Sequence, residues 1–168
     1  KEMNNRYEQF IDLEVSSIAE YNECVEHGTI VPLGNSGDSQ QSITSVQKLP
    51  RVVCVINELT DLMMSEREVV EDSISRLARL AGVVGIHLVI ATQRPSVDVL
   101  TGLIKTSCQS RIAFQVNSRV DSRCILDEIG AERLIGNGDM LYLAADQAVP
   151  QRIQGPFVND ADIVSLVQ

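Results

Sequence analysis

Asparagine and glutamate directly follow a short apolar run near the middle of the chain. Val52–Ile56 forms that run, and Asn57 and Glu58 come next. Such a run predicts a strand buried on both faces of a parallel sheet, and ligands bind at the carboxyl edge of sheets of this kind. In nucleoside-triphosphate hydrolases that edge carries an Asp for the magnesium shell and a Glu that polarises the attacking water. Glu58 is therefore a candidate catalytic residue. Asn57 is a neutral replacement for the Asp and is expected to hold magnesium only weakly, through a water.

A second strand end supplies two more polar side chains. Residues 86–91 form another apolar run, followed by Thr92 and Gln93. Because parallel strands end at the same edge, these residues are expected beside Glu58. A polar residue at this place in such ATPases senses the γ-phosphate, which makes Thr92 and Gln93 candidates for nucleotide binding. On spacing alone, an ATPase-like site and an ordinary doubly wound domain both remain possible.

The chain alternates strands with helices of 10–15 residues, which predicts an α/β fold with a mostly parallel sheet flanked by helices. A helix is expected over residues 2–26, with a capping box at Ser17 and Glu20 for its second half, and another from the capping box of Ser65 and Glu68 to Ala81. Further elements are expected at 97–105 (helix), 111–116 (strand), from 118 (helix, stopped by Gly130), and at 140–143 and 151–154 (antiparallel closing strands).

No phosphate loop of the form G-x-x-x-x-G-K-[ST] occurs in the sequence. The glycines at 34 and 37 lack the lysine and have no strand before them. We therefore expect the fold to be incomplete, without its phosphate-loop part, and the chain alone to bind ATP poorly. Three regions are predicted: a helical lead-in at 1–28, an exposed flexible loop at 29–49, and the main domain at 50–168.

Charge is distributed unevenly along the chain. The net charge of −9 argues against a protein that coats nucleic acid along its whole surface. Residues 94–123 nevertheless carry five basic and two acidic side chains, a net charge of +3. The four cysteines lack C-x-x-C spacing, which predicts reduced thiols and neither disulfides nor a zinc site.

Several motifs resemble those of the FtsK/SpoIIIE family of DNA translocases, and the resemblance covers nearly the whole chain. The motifs are VCVINELTDLMM at 53–64, GIHLVIATQRPSVDV at 85–99, TGLIK at 101–105, DSRCILD at 121–127, GAE at 130–132 and GNGDMLY at 136–142. The resemblance implies the C-terminal portion of a RecA-like P-loop NTPase domain, with the phosphate loop upstream. It also implies a homo-hexameric ring that encloses double-stranded DNA and moves it with ATP and Mg²⁺, in chromosome segregation at division or sporulation. The chain alone would be monomeric, on the cytoplasmic face of the bacterial inner membrane, with the membrane anchor elsewhere in the protein.

The resemblance also implies roles for single residues. Glu58 would polarise water, Gln93 would sense phosphate, and Arg94, Arg119 and Arg123 would face the DNA backbone, in agreement with the basic segment. Arg123 could alternatively pair with Asp127 at i,i+4 on its helix.

Two departures from the family pattern point to weak hydrolysis. Asn57 contributes no charge to a magnesium shell. Residues 82–84 are Gly-Val-Val where the family has basic residues, one of them thought to act as an arginine finger, and Arg79 is the nearest substitute. Two alternatives to an active DNA motor therefore remain: an ATPase-impaired structural subunit of the ring, and a related ATPase that moves protein in secretion.

Overall fold

The computed structural model of the chain describes residues 1–27 and 47–167. The helices are α1 (Glu2–Asp12), α2 (Ile18–His27), α3 (Leu59–Leu80), α4 (Gly102–Ser107), α5 (Arg119–Leu126) and α6 (Asp160–Val167), with a 3-10 helix at Ala131–Arg133. The strands are β1 (Val52–Asn57), β2 (Ile86–Ala91), β3 (Arg111–Ala113), β4 (Asp139–Leu143) and β5 (Gln151–Gln154). Most of the loop expected at 29–49 lies outside the described residues. No helix within the described ranges combines the length and apolar character needed to cross a membrane.

The chain divides into two compact units. The first contains Lys1–Asn57 and Asp72–Ala91, and the second contains Glu58–Glu71 and Thr92–Gln168. The kinked helix α3 contributes its first half to the second unit and its second half to the first. The predicted regions at 1–28 and 50–168 follow a different division and stay a prediction.

In the first unit, β1 and β2 form a parallel pair, as the sequence predicts. The register runs from Val52 opposite Ile86 to Asn57 opposite Ala91. Asn57 is therefore the last paired residue of β1, and the strands end level with each other.

The core of the first unit is built by α1, α2 and the end of α3. Its buried residues are Met3, Phe10, Ile18, Tyr21, Ala81 and Val84. The Phe10 and Tyr21 rings stack with centroids 5.4 Å apart. The helix expected over 2–26 is divided in two, because Glu14 adopts a left-handed φ of 53° between α1 and α2. The predicted capping box is present in part, since the Ser17 hydroxyl accepts from the Glu20 amide at 3.3 Å.

A buried arginine fixes the starts of the two strands. Arg6 is 3% exposed, and its Nη1 donates to the carbonyl oxygens of Pro50 at 2.8 Å and Val84 at 2.9 Å. Its Nε donates to the Glu2 carboxylate at 2.8 Å, which compensates the buried charge. Pro50 and Val84 each lie two residues before a strand. Arg6 therefore aligns the first residues of β1 and β2 with each other.

The expectation that β1 is buried on both faces is wrong for the described residues. Val53 and Val55 are 61% and 63% exposed, and Cys54 is also exposed. β1 has one hydrogen-bonded neighbour in the described sheet, and it is Ile86 at the start of β2 that packs against the core cluster. The middle of β1 is therefore left uncovered in the part of the chain that the structure describes.

The second unit contains a three-stranded antiparallel sheet of order β3-β4-β5. The closing strands are antiparallel, as predicted, but β3 pairs with β4 and is not a member of the parallel pair. α5 and the 3-10 helix cover the sheet with a core of Ala113, Leu126, Ala131, Leu134 and Leu143.

The Ser118 hydroxyl caps α5 by accepting from the Asp121 amide at 3.1 Å. The helix ends at Leu126, because Asp127 after it has a left-handed φ of 61°, and the predicted stop at Gly130 comes later.

The helix predicted to begin at Ser65 begins six residues earlier, at Leu59. Ser65 donates its hydroxyl to the Leu62 carbonyl, and Glu66 has non-helical φ and ψ angles of −143° and 57°. The local capping pattern therefore coincides with a kink inside α3 and not with its start.

Gly85 is required by its position before β2. It has a φ of +76°, and a β-carbon there would overlap with Cδ1 of the buried Ile18. Gly85→Ala should therefore lower the free energy of unfolding by roughly 2–4 kcal/mol, through backbone strain and overpacking. Urea unfolding of the chain followed by circular dichroism measures this loss. Gly82→Ala is the matched control, because a β-carbon there meets nothing within 4 Å. An equal loss in both variants would contradict the argument.

Asp139 should make stability depend on pH. Its side chain is 3% exposed, and it accepts from Arg152 Nε at 2.9 Å and Nη2 at 2.7 Å. Arg152 and the Ile135 amide lower the pKa of Asp139 to about 2. In the unfolded chain the pKa is about 3.9, so the unfolded state binds more protons between these values and stability falls as the pH drops through them. We expect Asp139→Asn to flatten the fall of Tm between about pH 5 and pH 2. The exposed Asp146→Asn should keep the parental slope, and a parental slope in Asp139→Asn would rule out this role.

Candidate functional site

Glu58 follows β1 directly and begins α3. Its φ is +66°, a left-handed conformation that costs a non-glycine residue roughly 1–2 kcal/mol. Its Oε1 accepts from the Thr60 amide at 3.2 Å, so the carboxylate caps the helix N-terminus, where negative charge is favoured. Hydrogen bonds within the site therefore offset the strain.

The carboxylate of Glu58 also binds the segment that follows β2. Oε1 accepts from the Thr92 hydroxyl at 2.7 Å, and Oε2 accepts from the Gln93 amide at 3.0 Å. Hydrogen bonds from Thr60, from the Thr92 hydroxyl and from the Gln93 amide lower the pKa of Glu58 to about 2. The group is therefore ionised at neutral pH, as an acceptor for a water proton must be.

The structure thus joins three of the residues predicted from the sequence. Glu58, Thr92 and Gln93 share one set of hydrogen bonds, and exposed Arg94 follows at once, with its amide donating to Thr92 Oγ1 at 3.1 Å. Asn57 is exposed at the end of β1, opposite Ala91. Gln93 is exposed too, and it is its backbone that contacts Glu58.

Thr60 is a site residue that the sequence analysis missed. It is 7% exposed, and its hydroxyl lies 3.1 Å from that of Thr92. Glutamate is not among the residues that favour the N-cap position, so no local pattern in the sequence marked this helix start or singled out Thr60.

Three of the five cations in the basic segment lie in ion pairs. Lys105 and Arg111 both pair with the Asp127 carboxylate and lower its pKa. Arg94 and Arg123 are exposed, and Arg119 is 69% exposed with its Nε 3.7 Å from Glu132. The three arginines singled out by the sequence are therefore the accessible cations of that segment.

The alternative pairing of Arg123 with Asp127 is wrong. Asp127 adopts the left-handed conformation just beyond α5, so its side chain leaves the i,i+4 row of the helix. Its carboxylate oxygens bind Lys105 and Arg111 instead.

The residues at the strand ends offer few ligands to a metal ion. Among residues 1–27 and 47–167, no three His, Cys, Asp or Glu side chains are grouped as a metal site. Mg²⁺ in nucleotide sites takes one or two carboxylates and completes its shell with phosphates and waters. Asn57 supplies an amide oxygen, and Glu58 a carboxylate that already accepts three hydrogen bonds. These residues fit Mg²⁺ held mainly by nucleotide phosphates and waters.

Solved structures with the same fold include a protein bound to ATPγS and a secretion ATPase. The conjugation coupling protein TcpA of pCW3, solved with ATPγS, aligns with a TM-score of 0.73 at 25% identity, over 99% of this chain and 46% of that one. The type VII secretion ATPase EccC of Thermomonospora curvata aligns with a TM-score of 0.72 at 22% identity, over 93% of this chain and 16% of that one. The fold is that of RecA-like P-loop ATPase domains, as the sequence predicts.

Sequence comparison gives nearer relatives. The chain is 49% identical to DNA translocase FtsK of Streptococcus agalactiae and 46% identical to DNA translocase FtsK of Shewanella oneidensis, in each case over 99% of its length. It spans 19% of the length of both relatives. The FtsK/SpoIIIE family profile matches residues 1–97. On this similarity, the chain belongs to the FtsK/SpoIIIE family.

Proposed function

We propose that this chain is part of an ATP-driven motor that translocates double-stranded DNA. The observation that carries the proposal is the hydrogen-bonded connection from Glu58 through Thr92 and Gln93 to the exposed Arg94. A carboxylate able to act on water is thereby linked, through its hydrogen bonds to Thr92 and Gln93, to Arg94, a cation able to bind a DNA phosphate.

Glu58 would polarise the water that attacks the γ-phosphate, and Gln93 would contact that phosphate through its exposed side chain. Asn57 would hold one water of the magnesium shell. Mg²⁺, when bound with the nucleotide, supplies positive charge to the phosphate oxygens. Glu58 is held by its helix cap and by its bonds to Thr92 and Gln93 before the nucleotide arrives.

Arg94, Arg119 and Arg123 would bind the phosphate backbone. Arginine binds phosphate through paired donors without reading the base sequence, which suits a motor that must move along any DNA. Arg119 and Arg123 lie four residues apart on α5 and therefore on one side of the helix. The exposure of all three supports this assignment.

The wider setting follows the relatives. Proteins named DNA translocase FtsK are 46–49% identical to this chain, which favours DNA as the substrate over a polypeptide moved in secretion. The secretion ATPase EccC is 22% identical and supports the fold alone. We propose a homo-hexameric ring in chromosome segregation, with the phosphate loop and a membrane anchor supplied by other parts of the protein.

Asn57 favours a second candidate, an ATPase-impaired subunit of the same ring. The residue is exposed at the strand end and carries no charge to recruit Mg²⁺. Arg79, the nearest candidate for an arginine finger, is exposed in the last turn of α3 and remains available for contact with a neighbouring subunit.

DNA-stimulated ATP turnover of the full-length protein separates the two candidates. We expect measurable turnover that rises in Asn57→Asp, most strongly at limiting Mg²⁺, because the added carboxylate recruits the metal. Glu58→Gln should lower turnover by about 10²–10⁴-fold, the usual effect of removing a general base. Absence of turnover in the parent, with gain in Asn57→Asp, would favour the impaired subunit over the active motor.

Charge reversal at the basic segment tests DNA binding. In the full-length protein, Arg94→Glu and Arg119→Glu should weaken duplex binding on all sequences and reduce the slope of log K against log salt by about 1 each. Fluorescence anisotropy across a salt series measures this slope. Arg51→Glu changes an exposed arginine outside the segment by the same charge and should have little effect. An unchanged slope in the Arg94 and Arg119 variants would refute their phosphate contacts.

A further inference from the structure

The Thr92 hydroxyl is the centre of the contacts around Glu58. Its Oγ1 lies 2.7 Å from Glu58 Oε1, 3.1 Å from Thr60 Oγ1 and 3.1 Å from the Arg94 amide nitrogen. The threonine is therefore in contact both with the carboxylate proposed to act on water and with the backbone of the residue proposed to bind DNA.

The direction of these hydrogen bonds follows from the chemistry of the groups. A hydroxyl has one proton to donate and two lone pairs to accept. An ionised carboxylate only accepts, so Thr92 gives its proton to Glu58. It then accepts from the Arg94 amide, and the Thr60 hydroxyl is the second donor. Every hydrogen-bonding position of the Thr92 hydroxyl is filled.

These contacts restrain Glu58 in its present conformation. Three donors occupy most of the acceptor positions of the carboxylate, and each draws charge from the oxygens that would polarise water. The left-handed φ of Glu58 persists because the surrounding bonds hold it. Loss of the bond from Thr92 removes the shortest of these hydrogen bonds to the carboxylate and releases that restraint.

We propose that Thr92 is a positioning residue that holds Glu58 in a restrained state and releases it when Arg94 binds a DNA phosphate. The inference rests on the proposed function. Thr92 and Arg94 are two residues apart and hydrogen bonded, so a displacement of the Arg94 backbone on phosphate binding moves the Thr92 hydroxyl. DNA contact is thereby coupled to the activity of Glu58.

The test compares ATP turnover of the full-length protein with and without saturating duplex DNA. Thr92→Val keeps the shape of the side chain and removes the hydroxyl. It should raise the DNA-free kcat by about tenfold, the effect of losing one hydrogen bond to a charged group, and bring the stimulation by DNA close to one. Affinity for duplex DNA should rise by up to about tenfold, because DNA binding no longer has to break the hydrogen bond from Thr92 to Glu58.

Two variants act as controls. Thr92→Ser keeps the hydroxyl and should retain stimulation by DNA. Thr106→Val removes an exposed threonine hydroxyl that donates to the Gly102 carbonyl within α4, and should behave as the parent. Thr92→Ala carries the same expectation as Thr92→Val if the valine variant fails to fold.

The outcomes separate the inference from the proposed function. The coupling role would be overturned, with the motor left intact, if Thr92→Val were stimulated by DNA as strongly as the parent. The same would follow if its turnover rates with and without DNA fell by the same factor. A parent that turns over ATP without binding duplex DNA, or that does not turn it over at all, would overturn the proposed function and the coupling with it. A raised DNA-free rate together with lost stimulation, restored by Thr92→Ser, would support the role of Thr92.

Discussion

The parallel pairing of β1 and β2 is the constraint on which the candidate site depends. The register places Asn57 opposite Ala91, so the two strands end together. Arg6 sets this register from the other end by binding the carbonyls of Pro50 and Val84. A slip of one residue would turn each side chain to the opposite face. Glu58 and Thr92, which follow the two strands, would then no longer start from positions opposite each other.

The distribution of ion pairs explains how an acidic protein can leave exposed cations in one segment. Asp127 accepts from both Lys105 and Arg111, so a single carboxylate just beyond α5 is shared by two nearby cations. Exposed surface cations interact with solvent and salt and gain little from isolated pairing. Arg94, Arg119 and Arg123 thus remain accessible for an external anion. The net charge of the whole chain says little about this segment, because local charge determines the local field.

The sequence correctly predicted features that depend on a local pattern for which no other contact competes. Residues 86–91 form β2 as expected, and Ser118 caps α5. Two wrong predictions followed local patterns that other contacts in the structure overrode. Ser65 and Glu68 satisfy a capping pattern, but the helix was already started by Glu58, whose carboxylate has donors from both Thr60 and the segment after β2. The Arg123–Asp127 pair failed for a similar reason, since a left-handed residue cannot keep helical spacing. Contacts between residues 34 positions apart, such as Glu58 with Thr92, follow from strand register and not from any local pattern.

In the proposed function, Asn57 and Glu58 would affect nucleotide binding and hydrolysis in different ways. Glu58 is ionised at neutral pH because its hydrogen bonds lower its pKa to about 2. An aspartate at position 57 would add a second negative charge beside it, which favours Mg²⁺ but opposes the phosphates of an incoming nucleotide. Asparagine carries no charge, so it neither repels the nucleotide phosphates nor attracts Mg²⁺ as an aspartate would. In the proposed motor, asparagine at this position would therefore weaken hydrolysis more than it weakens the binding of nucleotide. A ring subunit with this strand end could retain ATP and respond to DNA through Arg94 while turning over slowly.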